Sequence, residues 1–249
     1  MYLDGSVTVC NHAHNGRSTE TFRNEGHFDL IQKQLRPGDF VVIQFGHNDQ
    51  KHPHLQAYNG YPENLRRFIA EIRAKKALPI LATPIARNVW TEQNGKLTYN
   101  DLLHDHAQAC IALGKELNVP VLDLHQAAMD EIIRLGRDAS KIYYHQGDWT
   151  HTNDYGAVRA AGYAADELRS LGEAFPDYLP LIQTVSASSE PWKPEAALLL
   201  EKPARLAGVK DPNGTEEGTA AQDHQAEKDG GDALARLLAA VQSACGQSV

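Results

Sequence analysis

The chain has 249 residues, enough for one α/β domain of ordinary size or for a domain with a tail. Its apolar content of 42% supports a buried core, and its net charge of −8 argues against a nucleic-acid or anionic-membrane partner, which calls for excess Lys and Arg. Three cysteines, Cys10, Cys110 and Cys245, give neither a disulfide framework nor a Cys-x-x-Cys pair, and no apolar run is long enough to cross a bilayer.

Residues 7–11 read as a short strand, apolar and partly β-branched, and a Gly-containing turn follows at 14–18. Residues 19–35 read as one helix, with Phe22, Phe28, Ile31 and Leu35 near one face. Pro37-Gly38-Asp39 is a turn signal, and the nearly continuous apolar run 40–45 is what a strand buried on both faces of a parallel sheet looks like. A helix is expected from Pro62, a strand at 78–83, a loop at 87–97 and a long helix at 99–118. A strand at 119–124, a helix at 125–135 and an alanine-rich helix at 153–171 complete the pattern. The alternation of strand and helix predicts a doubly wound parallel sheet. Residues 1–185 form the expected domain, and 186–249 a polar, mobile tail with a short amphipathic helix at 233–244.

Ligands of such sheets sit at the carboxyl ends of the strands. Gly46-His47-Asn48-Asp49 falls at one of those ends. Asn48 can offer a side-chain N–H to a developing oxyanion, and Gly46 allows close backbone approach. The same four residues would also make a good turn. Asp148-Trp149-Thr150-His151 opens the last helix. An Asp three residues before a His can hold the imidazole in the tautomer a general base needs; the alternative is helix capping by Asp148 or Thr150 beside a solvated histidine. Gly16, in the turn after the first strand, can turn a backbone N–H toward the same crevice, or simply assist that turn.

Taken together these segments resemble the SGNH, or GDSL-like, hydrolases, and within them the rhamnogalacturonan acetylesterase group. The resemblance covers residues 7–171 and rests on N-H-A-H-N-G-R-S at 11–18, R-P-G-D-F-V-V-I-Q-F-G-H-N-D at 36–49, T-P-I-A-R at 83–87 and D-W-T-H-T-N-D-Y-G-A at 148–157. It implies a flavodoxin-like three-layer α/β/α fold. It also implies that Gly16 (backbone N–H) and Asn48 (side-chain amide) line an oxyanion hole, that His151 is the general base and that Asp148 orients it. The implied reaction is cofactor-free and metal-free removal of acetyl groups from a pectic polysaccharide through an acyl-enzyme. Two other readings stay open: an esterase or lipase acting on other acyl esters, and a vestigial or binding protein without catalysis.

The family's nucleophile lies in a Gly-Asp-Ser block on a central strand, upstream of the segment that 7–11 matches, and only fifteen residues precede Gly16. Ser6 precedes the first predicted strand, about 17 Å from its far end, and Ser18 belongs to the oxyanion-donor loop. The nucleophile is therefore expected before Met1, which would make Met1 an internal start; the rival is a pseudoenzyme that pairs strands 7–11 and 40–45 directly. Either way the chain as written is expected to be inactive. No signal peptide is visible at Met1, so the compartment reads as cytoplasmic as written and as secreted or periplasmic with a longer N-terminus.

Twelve histidines include the pairs His12/His14, His52/His54 and His104/His106, but no Cys or carboxylate set completes a tetrahedral metal site. Arg17 and Arg87, near strand ends, can either contact an acidic sugar or serve as structural arginines. Trp90 and Tyr99 flank a loop and can stack on a sugar or pack in the core.

Overall fold

The computed structural model describes residues 2–186 and 241–243. Its centre is a five-stranded sheet in the order β1-β7-β2-β3-β6, built from β1 (Val7–Val9), β2 (Phe40–Gln44), β3 (Leu78–Ala82), β6 (Val121–Leu122) and β7 (Val241–Ser243). Strands β2, β3 and β6 run parallel, with Phe40 opposite Leu78 and Leu81 opposite Val121. Helices α1 (Thr19–Asn24), α2 (His27–Gln34), α3 (Gly60–Ala74) and α4 (His104–Leu117) cover one face; α5 (Leu124–Leu135), α6 (Asp154–Leu171) and the short α7 (Leu179–Ile182) cover the other.

The period-2 alternation of strands sorts side chains into two cores. Val41, Ile43 and Leu81 pack with Phe22, Phe68 and Ile72 beneath α1–α4. Phe40, Ile80 and Ala82 pack with Leu122, Ile132 and Ala164 beneath α5 and α6. Ile72, Ile80, Leu81 and Leu122 are completely enclosed, and each such side chain contributes about 1.5–3 kcal/mol of burial free energy. This is the three-layer α/β/α arrangement with a parallel sheet that the strand–helix alternation predicts.

Several boundaries differ from the sequence-based expectation, for local reasons. The expected helix 19–35 is two helices, because Gly26 has φ +79° and turns the chain between them. The expected loop 87–97 contains a hairpin of β4 (Trp90–Gln93) and β5 (Lys96–Tyr99). Its two-residue turn is Asn94-Gly95, both at positive φ, as the twist of a tight hairpin demands. Tyr99 therefore lies in a strand, and α4 begins only at His104, after Asp101 accepts a hydrogen bond from the Leu103 N–H.

The gap expected between the first strand and β2 is occupied. Strand β7 lies there antiparallel to both neighbours, pairing all three of its residues with β1 and pairing Val241 with Phe40 of β2. Direct pairing of residues 7–11 with 40–45 is thus corrected, as is the helix expected at 233–244 where it crosses Val241–Ser243. The rest of that helix, and most of the expected tail, lie outside the described residues. Residues before β1 are anchored to the end of the domain: Leu3 bridges Val185, and the Ser186 N–H donates to the Tyr2 carbonyl at 2.8 Å.

Candidate active site

Segments 10–18, 45–52 and 83–88 follow β1, β2 and β3, and 144–153 leads into α6. The loop after β2 is fixed from inside by Asp49. This carboxylate is fully buried. One of its oxygens accepts from the Thr19 N–H at 3.0 Å and the Thr19 hydroxyl at 2.5 Å, and the other accepts from the Gly46 N–H at 3.2 Å. Burial pushes the Asp49 carboxyl above its ordinary range, against the pull of these bonds. The effect is to lock G-H-N-D onto the start of α1. Gly46 is required here: its φ is +133°, and a Cβ would stand 2.9 Å from Pro84 Cγ.

The lock brings two of the candidate residues together. Asn48 Nδ2 donates to the Arg17 carbonyl at 3.4 Å, next to Gly16 at φ +72°, while Asn48 Oδ1 accepts from Lys51 Nζ at 2.9 Å. The amide N–H side thus faces the 16–17 loop. Arg17 itself is neutralised by Glu25 at 2.7 Å.

Asp148 and His151 also meet. His151 Nδ1 lies 2.6 Å from Asp148 Oδ2, and Asp148 Oδ1 accepts from the Thr150 and His151 N–H groups at 2.6 and 3.1 Å. Burial opposes ionisation of this carboxyl, but the His151 contact and the two backbone donors prevail and hold it at about 2. In the neutral tautomer this carboxylate favours, Nδ1 carries the proton and Nε2 is the basic nitrogen. The loop is closed beneath: Tyr144 and Thr152 form a bridge, and the Asn153 amide donates to the Ile142 and Tyr144 carbonyls, each at 2.9 Å. Asn153, rather than Asp148 or Thr150, caps α6, accepting from the Gly156 N–H at 2.9 Å.

Residues 85–88 join the two halves. His47 Nε2 donates to the Ile85 carbonyl at 3.0 Å, Arg87 Nη2 donates to the His47 carbonyl at 3.3 Å, and the Asn88 N–H donates to the Trp149 carbonyl at 2.8 Å. Desolvation, reinforced by Arg87, pushes the His47 imidazole down to about 3, so it stays neutral and structural. This strap is not legible in the sequence beyond the proximity of Arg87 to a strand end.

The hydroxyls of both candidate serines have local partners. Ser18 is buried as the N-cap of α1, its Oγ accepting from the Thr21 N–H at 3.1 Å. Ser6 is exposed before β1 and its hydroxyl bonds Asp4. Members of the histidine pairs have other partners: His14 stacks on His27, His54 meets Glu20 with the His52 ring 5.8 Å away, and His106 is buried against the Leu55 carbonyl. Among the described residues no group of three or more His, Cys, Asp or Glu could hold a metal ion. Trp90 and Tyr99 meet edge to face across the hairpin, and the Trp90 indole N–H donates to Asn88 at 2.7 Å.

Residues 2–159 match the model of the GDSL-like lipase/acylhydrolase family. The chain belongs to that family. Its relatives include the rhamnogalacturonan acetylesterase RhgT of Bacillus subtilis, 34% identical over 72% of this chain and 81% of that protein. A rhamnogalacturonan acetylesterase of Emericella nidulans is 29% identical over 70% of this chain and 78% of its own length. The solved structure of YxiM from Bacillus subtilis superposes with a TM-score of 0.57 at 30% identity, covering 67% of this chain; the chain spans 47% of that protein. These findings make this GDSL-like chain a hydrolase of ester bonds by family, with an SGNH-type α/β/α fold. No described helix is long and apolar enough to cross a membrane.

Proposed function

We propose that this GDSL-like chain carries the base and oxyanion half of a serine carbohydrate esterase whose substrate is an acetylated pectic polysaccharide such as rhamnogalacturonan. The observation that carries this reading is the His151–Asp148 contact of 2.6 Å on a loop strapped to the one bearing Asn48. In the proposed reaction His151 Nε2 removes the proton from a serine hydroxyl as its oxygen attacks the acetyl carbon. The Gly16 N–H and the Asn48 amide receive the carbonyl oxygen as it becomes an oxyanion, and His151 returns the proton to the departing sugar hydroxyl. Water then repeats the sequence on the acetyl-serine. The likeness to rhamnogalacturonan acetylesterases supports the sugar-ester class.

The proposal includes inactivity of the 249-residue chain itself, because the Ser18 hydroxyl is engaged in capping α1 and the Ser6 hydroxyl bonds Asp4. Acetate release from acetylated rhamnogalacturonan, set against hydrolysis of long-chain nitrophenyl esters, tests both parts. It is run on this chain and on a form extended upstream with a strand ending in Gly-Asp-Ser. The extended form should release acetate and His151→Ala should abolish it, while Asn48→Ala should slow it about 10²–10³-fold. Preference for long-chain esters would refute the substrate, and turnover by the unextended chain would refute the inactivity.

A further inference from the structure

Arg17 and Arg87 look alike in sequence, but the structure separates them. Arg17 has Glu25 as a counterion. Arg87 has no carboxylate within ion-pair distance among the described residues, and its Nε is buried without a hydrogen-bond partner. Among the described residues its guanidinium makes one hydrogen bond, from Nη2 to the His47 carbonyl, beside Asn48. Burial lowers the Arg87 pKa and the field of Asp148 opposes that shift. A second observation sits alongside. Trp149 is 57% exposed although it lies within D-W-T-H, and its carbonyl is bound by the N–H of Asn88, the residue after Arg87. A half-buried guanidinium with spare donors is a fork for a carboxylate, and an exposed indole is a platform for a sugar ring.

We propose that Arg87 and Trp149 form a subsite for a uronic-acid residue, the guanidinium taking the carboxylate and the indole taking the ring face. Arg87 is then a specificity-determining residue that selects acidic over neutral polysaccharides. The inference rests on the carbohydrate-ester reading, but its test does not need turnover.

The test is equilibrium binding of trigalacturonate and of neutral galactotriose to the 249-residue chain, followed by calorimetry at low ionic strength. The wild type should bind trigalacturonate at least about tenfold more tightly, the worth of one charge-assisted contact, and the preference should shrink as salt is added. Arg87→Gln should erase the preference and Arg87→Lys should keep part of it, with thermal unfolding confirming that each variant is folded. Trp149→Ala should weaken both sugars while leaving their ratio. Equal binding of the two sugars by the wild type, or an undiminished preference in folded Arg87→Gln, would overturn the proposal. If uronate preference holds but the extended form releases no acetate, the ester reading fails and the subsite stands. If acetate is released without uronate preference, the subsite fails and the ester reading stands.

Discussion

His151 Nδ1 stands 2.6 Å from Asp148 Oδ2, and the other oxygen of that carboxylate is held by the backbone of the same loop. A four-residue segment thus builds an acid–imidazole pair with its own second layer of support. That layer fixes the ring before any substrate arrives, which is what a base acting in one orientation requires.

The pair predicts a tautomer. With Asp148 accepting at Nδ1, the neutral His151 ring carries its proton there, and nitrogen-15 shifts at alkaline pH should report Nδ1–H. Asp148→Asn can present an amide N–H to Nδ1 and should move the proton to Nε2. In the form extended with Gly-Asp-Ser that exchange should cost about 10⁴-fold in kcat. An unchanged tautomer in the variant would remove Asp148 from its orienting role.

The same carboxylate sets a pH dependence of stability. Its pKa is about 2 in the fold against about 3.9 in an unfolded chain. Between those values the unfolded state binds more protons, so stability rises with pH. The contribution is complete above about pH 4–5 and is lost as pH falls toward 2, amounting to about 1 kcal/mol once solvent screening is allowed for. Urea unfolding from about pH 2 to 5 should show the wild-type advantage over Asp148→Asn narrowing toward acid. A gap that is flat with pH would contradict the linkage.

Asp49→Ala should be destabilising by about 2–4 kcal/mol, since the Thr19 and Gly46 donors are left buried without an acceptor. It should also free the loop bearing Asn48, seen as faster amide exchange at 46–52. Wild-type stability in this variant would show that the loop is held by other contacts.

Gly156→Ala should be among the most damaging small changes in the chain, because the new Cβ would lie 2.0 Å from the Tyr143 carbonyl oxygen. The start of α6 would have to leave the loop that carries His151. The expected loss is about 3 kcal/mol or more. Asn153→Ala, which deletes a cap and two carbonyl contacts on the same loop, should cost about 2 kcal/mol. Melting temperatures that stay at the wild-type value would contradict this packing.

Much of the fold is legible in the sequence because the apolar runs 40–45 and 78–83 and the amphipathic spacing of Leu65, Phe68, Ile69 and Ile72 are local signals. The Asp148–His151 contact spans three residues and is legible for the same reason. The hairpin is hard to see because Asn94-Gly95 sits between strands too polar to show alternation; the dipeptide itself is the available signal. The Asp49–Thr19 lock and the Arg87 strap join residues 30 and 40 apart, and no periodicity encodes such contacts. Strand β7 escapes for a similar reason: Val241–Ser243 gains a strand conformation only by pairing with β1 and β2, far away in sequence.

The most direct test of the esterase-half assignment is fluorophosphonate labelling of the folded 249-residue chain, read by intact mass and peptide mapping. Ser18 is occupied in capping α1, Ser6 lies before β1, and Ser140 and Ser170 donate to carbonyls of their own turns. The chain should therefore stay unlabelled, each of these four hydroxyls being engaged in its own local contact. A stoichiometric adduct on Ser6, Ser18 or any other serine of this chain would contradict that assignment.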